Sequence, residues 1–249
     1  MNVEYHKNWS QQLNQEMEFK VYGSAGKPVL VFPSFGGRFY DFEDFGMIQA
    51  ISHLIEAGRY QVFTVDSIDR QSWGNANILP PERARRHEDY DRYITQEMIP
   101  YIQNRLPAPS LLLATGCSMG GYHSANFFFR HPDLFDSVVS LSGLLQVRMF
   151  VGEYMDDIVY FNSPLLYLRN LQDPWYLEKY RRSQIILCAG QGAWEDAMNT
   201  DIQEMRQILM EKQVPAWIDL WGYDVNHDWP WWRKQLPYFL EKLASEARA

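Results

Sequence analysis

The apolar run Leu111-Leu112-Leu113-Ala114 leads almost directly into Gly116-Cys117-Ser118-Met119-Gly120-Gly121, and no other stretch restricts the possible folds as much. A short continuous apolar run of this kind suits a strand buried on both faces. A Gly-x-Ser-x-Gly turn behind such a strand bends the chain sharply into a helix and lifts the serine hydroxyl above the sheet. The glycines leave room where a side chain would strike the neighbouring strand or helix. Ser118 is therefore the candidate nucleophile. The amide of Met119 would point at the oxygen of a substrate attacked there. Cys117 is a weak competitor, because its side chain points into the fold when that of Ser118 points out.

The rest of the chain supplies the setting that such a turn needs. Glu16 to Tyr22 alternates as a strand, while Pro28 to Pro33 and Gln61 to Val65 read as buried strands. Ile48, Ile51, Leu54 and Ile55 recur at helical spacing before Gly58, and Tyr90, Ile94, Met98 and Ile102 mark a long helix before Pro107. A helix follows Ser118 as far as Arg130, and strands are expected at Ser137 to Leu141, Gln184 to Ala189 and Ala216 to Trp221. Strand and helix in alternation predict an α/β protein with a parallel sheet covered on both faces. No linker or repeat divides the 249 residues, so we expect one domain over 1–249 with a helical, cap-like insertion around 144–183.

Charge and hydropathy exclude some partners. With 31 acidic against 23 basic residues the net charge is -8, and no basic run offsets it, so nucleic acid is not expected to bind. No stretch reaches the roughly eighteen apolar residues of a membrane span, and the first residues lack the apolar core of a secretion signal. The expectation is a soluble, cytoplasmic protein without a membrane partner. Cys117 and Cys188 fall on strands two positions apart, beyond the ~7 Å reach of a disulfide when strands lie ~4.8 Å apart. Two free thiols are expected. Nothing in the sequence sets the oligomeric state.

In open α/β sheets ligands bind beyond the carboxyl ends of the strands, so each post-strand loop can be searched for partners to Ser118. After the last strand comes Gly222-Tyr223-Asp224-Val225-Asn226-His227-Asp228-Trp229, with His227 as the candidate base. After the Gln184 strand comes Gly190-Gln191-Gly192-Ala193-Trp194-Glu195-Asp196, which offers Glu195 as the acid and Asp196 as its alternative. Asp224 more simply shapes its turn. The chain order is then serine, acid, histidine, the order of one large group of serine enzymes. Of the other histidines, His123 reads as a packed helix residue, whereas His6, His53, His87 and His131 read as surface or turn positions. No pair has metal-ligand spacing, and no metal is expected. Trp73, Trp194 and Trp229 follow the relevant strands or adjoin the candidate triad, so they are candidates for lining the substrate mouth.

At these residues the chain resembles the esterase branch of the α/β-hydrolases, which includes S-formylglutathione hydrolases, enterochelin esterases and mycolyltransferases. The resemblance covers most of the sequence. It is carried by Ser118-Met119-Gly120-Gly121, by Gln191-Gly192 ahead of Glu195, and by His227-Asp228-Trp229 followed by Trp232. It implies an α/β-hydrolase fold with a mostly parallel central sheet and helices on both faces. It also implies a cofactor-free serine carboxylesterase that takes a small-molecule ester through an acyl-enzyme. The loop Pro33-Ser34-Phe35-Gly36-Gly37 departs from the usual histidine-glycine form. The second oxyanion donor would be the amide of Gly36, with Phe35 as the alternative. Acyl transfer or thioester hydrolysis by the same triad, or a binding protein that keeps the fold without turnover, are the competing readings.

Overall fold

The computed structural model describes residues 1–246; residues 247–249, the end of the expected domain, lie outside the described residues. Among the described residues eight strands form one sheet: β1 (Val3–Ser10), β2 (Gln15–Tyr22), β3 (Lys27–Phe32), β4 (Tyr60–Val65), β5 (Leu112–Cys117), β6 (Phe135–Leu141), β7 (Gln184–Ala189) and β8 (Trp217–Leu220). Their order across the sheet is β1-β2-β4-β3-β5-β6-β7-β8. The β1–β2 and β2–β4 pairs are antiparallel, and every pair from β4 to β8 is parallel. This is the mostly parallel, helix-covered sheet of an α/β-hydrolase.

Alternation along each strand explains the two covered faces. Leu30, Phe32 and Ala114 pack on one side with Phe127, Phe128 and Ile202, whereas Val29, Val31 and Leu113 pack on the other with Ile48, Ile51 and Leu236. Neighbouring residues of one strand thus serve opposite cores, as the period of two requires. β4 and β5 are buried at every position, while the edge strand β8 is only half-buried.

Three departures from the expected elements have local causes. β1 is mostly exposed, so it lacks the apolar pattern that would announce it, and it is held by its register with β2. The helix expected from Tyr90 to Ile102 starts at Pro80 and is interrupted by a π-turn over Ile94–Met98 before resuming at Ile99–Arg105. Pro100 has no amide hydrogen to donate to the Gln96 carbonyl and its ring crowds that oxygen, which widens the turn. Between β6 and β7, residues 144–183 carry four short helices, Arg148–Val151, Asp157–Phe161, Pro164–Asn170 and Pro174–Arg181.

The parallel strands end on one side of the sheet, and their loops converge there. Helix Met119–Arg130 starts two residues past the end of β5, with Ser118 between them, and packs against β3, β5 and β6. Such close packing needs Gly120, because a Cβ at that position would strike the Phe32 carbonyl oxygen. Gly116 is similarly confined, with the Phe32 oxygen 2.6 Å from where its Cβ would stand.

Candidate active site

Ser118 sits at the junction of β5 and helix Met119–Arg130 with φ 58° and ψ -119°, a conformation that residues with a Cβ rarely adopt. Such strain costs on the order of 1–3 kcal/mol and persists only where the surroundings enforce it. Here the Ser118 amide donates to the Leu141 carbonyl at 2.9 Å and the Tyr122 amide donates back to the Ser118 carbonyl at 3.0 Å. The turn therefore projects the Ser118 hydroxyl away from the sheet.

His227 Nε2 lies 2.8 Å from Ser118 Oγ. The loop after β8 that carries His227 is laced to the loop after β7. The His227 amide donates to the Ala193 carbonyl at 3.0 Å, the Gly192 amide to the Val225 carbonyl at 2.9 Å and the Ala193 amide to Asn226 Oδ1 at 2.8 Å. Glycine is required at both close approaches. A Cβ on Gly190 would strike the Val225 carbonyl, and one on Gly192 would strike Asn226 Oδ1.

The lacing holds Glu195 behind the imidazole. Glu195 is fully buried, with Oε1 3.6 Å from His227 Nδ1. At that separation no hydrogen bond is formed. The same oxygen accepts a 2.6 Å bond from Ser142 Oγ, and Ser142 Oγ accepts from Trp232 Nε1 at 3.0 Å. The Trp232 ring also stands edge-on to the His227 ring, with centroids 5.0 Å apart. Ser142 and Trp232 thus brace both the carboxylate and the imidazole. Neither was singled out from sequence for this role, although Ser142 follows β6 at the same end of the sheet as Ser118. Asp196, the alternative acid, is exposed on the first turn of helix Asp196–Glu211.

The loop Pro33–Gly37 lies beside the serine turn, and Ser34 Oγ donates to the Cys117 carbonyl at 3.2 Å. The Gly36 amide is turned to Asp69 Oδ2 at 3.3 Å, so it is engaged elsewhere. Among the described residues no acceptor meets the amides of Phe35 and Met119. Both cysteines are buried and free, and burial pushes both thiols up, away from the reactive thiolate.

The aromatic candidates separate. Trp73 is fully buried and packs with Met119 and Tyr122, so it belongs to the core and not, as expected, to the substrate mouth. Trp194 is 84% exposed beside Glu195, and Trp229 stacks on Phe45 with ring centroids 4.5 Å apart. Phe35, half exposed, stacks on Phe150 of the segment between β6 and β7 at 5.9 Å. His87 also corrects its expected surface placement. It is fully buried against Trp73 and His123, and burial, reinforced by His123, holds its imidazole well below the ordinary range. The unfolded chain takes up a proton below about pH 6.5 that the folded chain refuses, so this group subtracts stability as pH falls. His87→Gln is expected to reduce the loss of unfolding free energy between pH 7 and pH 5 by about 1–2 kcal/mol. Urea melts at the two pH values would measure it, and an unchanged difference would refute it.

The family model described as "Putative esterase" matches residues 10–243. The chain belongs to this family. It is an esterase. Its fold is shared by a ferulic acid esterase at 17% identity, with 98% of each chain covered and a TM-score of 0.77. S-formylglutathione hydrolase (FrmB) from Staphylococcus aureus aligns at 15% identity over 98% of this chain and 97% of that one, with a TM-score of 0.69. MPT51 (FbpC1) from Mycobacterium tuberculosis aligns at 14% identity over 98% of both chains, with a TM-score of 0.69. No curated protein sequence matches the chain. No helix among the described residues of this esterase is long and apolar enough to cross a membrane.

Proposed function

We propose that this esterase hydrolyses a carboxylic ester through a Ser118–His227–Glu195 triad and an acyl-enzyme. The observation that carries the reading is the 2.8 Å contact of His227 Nε2 with a strained serine hydroxyl, backed by a buried carboxylate. A serine hydroxyl is a weak nucleophile at neutral pH, so His227 takes its proton as Ser118 Oγ attacks the carbonyl carbon. The proton then passes to the leaving alcohol oxygen, and a water activated by the same imidazole releases the acid. Glu195 keeps the proton of neutral His227 on Nδ1 and stabilises the imidazolium, and the 3.6 Å separation closes as charge develops. The oxyanion is held by the amides of Met119 and Phe35. Phe35 is favoured over Gly36 because the Gly36 hydrogen is already given to Asp69.

The exposed aromatic rings of Phe35, Phe45 and Trp194 around these groups suit an ester with an aromatic or bulky apolar part. A fluorophosphonate probe followed by peptide mass mapping tests the nucleophile directly. A single adduct on Ser118 is expected, and a folded protein without one would overturn the reading. Aryl esters are expected to exceed acetyl esters of sugars in kcat/KM when p-nitrophenyl, aryl, acetyl-sugar and thioester substrates are compared.

A further inference from the structure

Asp69 occupies a short 3-10 turn, Asp69–Gln71, just past the end of β4, and its carboxylate is buried between two segments. Oδ1 meets His123 Nε2 at 2.8 Å, and Oδ2 accepts the Gly36 amide at 3.3 Å. His123 stands one helical turn beyond Met119 on the same helix, and Gly36 is the neighbour of Phe35. One carboxylate therefore links the two segments that carry the two oxyanion donors. The same turn also supports Phe35 from outside. A Cβ on Gly74 would lie 2.5 Å from the Phe35 ring, and the Gly74 amide donates to the Asp69 carbonyl at 2.8 Å. Behind His123, the fully buried His87 stacks on the imidazole with centroids 5.5 Å apart and blocks its retreat.

We infer that Asp69 and His123 are positioning residues that set the spacing and direction of the oxyanion donors. By taking the Gly36 hydrogen, Asp69 orients the Pro33–Gly37 loop so that the Phe35 hydrogen is the one left for substrate. Neither side chain meets the substrate; both act through the loop and the helix. The inference rests on the proposed oxyanion hole of Met119 and Phe35.

An oxyanion hole acts in the transition state, so loosening it lowers kcat and leaves KM nearly alone. His123→Leu is expected to lower kcat for a p-nitrophenyl ester by about 10–100-fold with KM changed less than about twofold. Affinity for a phenylboronic acid, which forms a tetrahedral adduct on Ser118, should fall in proportion. His123→Gln keeps a side-chain N–H for Asp69 and is expected to recover kcat to within about fivefold of the parent. Should His123→Leu not melt cooperatively, the near-isosteric Asp69→Asn is expected to show the same fall in kcat. Unchanged kcat in the folded variants, or a loss seated in KM, overturns the inference alone. A parent protein that neither turns over the ester nor takes the fluorophosphonate overturns the proposed function and this inference with it.

Discussion

Ser118→Ala is expected to lower kcat by on the order of 10⁵-fold or more and to abolish fluorophosphonate labelling, with the cooperative melt retained. Alanine carries the same Cβ as serine, so the positive φ of 58° costs the variant no more than it costs the parent. The hydrogen bonds that enforce the turn use backbone atoms of Leu141, Ser118 and Tyr122, and all survive the substitution. His227→Ala should fall by a similar factor, because the hydroxyl 2.8 Å from Nε2 then has no acceptor for its proton. The decisive quantity is the double variant. Two groups that act as one unit lose their effect together, so Ser118→Ala with His227→Ala should be no slower than either single change. Rate losses that multiply would show that the two residues work separately.

The acid gives the second large effect. Glu195→Gln is expected to lower kcat by about 10⁴-fold, whereas Asp196→Asn should stay within about threefold of the parent. The chemistry differs little between the two changes; the surroundings differ completely. Glutamine at 195 removes the buried charge that stabilises imidazolium, and its amide can donate toward Nδ1, which selects the wrong tautomer. Asp196 is exposed on the first turn of its helix, where its charge is worth only some tenths of a kcal/mol to the helix dipole. Steady-state kinetics on one p-nitrophenyl ester compare them. Equal, slight losses would remove both residues from the mechanism.

The strands β2 to β8 along the chain, and the loops that carry Ser118, His227 and Glu195, were legible because each rests on a local signal. Apolar runs mark β3, β5 and β7, and turn-forming glycines mark the loops after them. Other features had no such mark. β1 is exposed and recognisable only by its pairing with β2. His87 and Trp73 look like surface or mouth residues in a polar stretch, yet both are fully buried where helix Pro80–Tyr93 packs against the Met119 helix and the turn after β4. The strand-end search that located His227 also passes over Asp69, whose importance depends on a side chain 54 positions away.

By itself the sequence determined the α/β class, the strained serine turn and the three loops from which an esterase would draw its groups, since period, glycine placement and chain order are local properties. Tertiary structure decided which of two adjacent carboxylates faces the imidazole, and which of two adjacent amides remains free. Adjacent residues at a helix start or in a tight loop point in different directions. Here the lacing of two loops turns Glu195 inward while Asp196 faces solvent. A carboxylate brought from the end of β4 takes the Gly36 hydrogen and leaves that of Phe35.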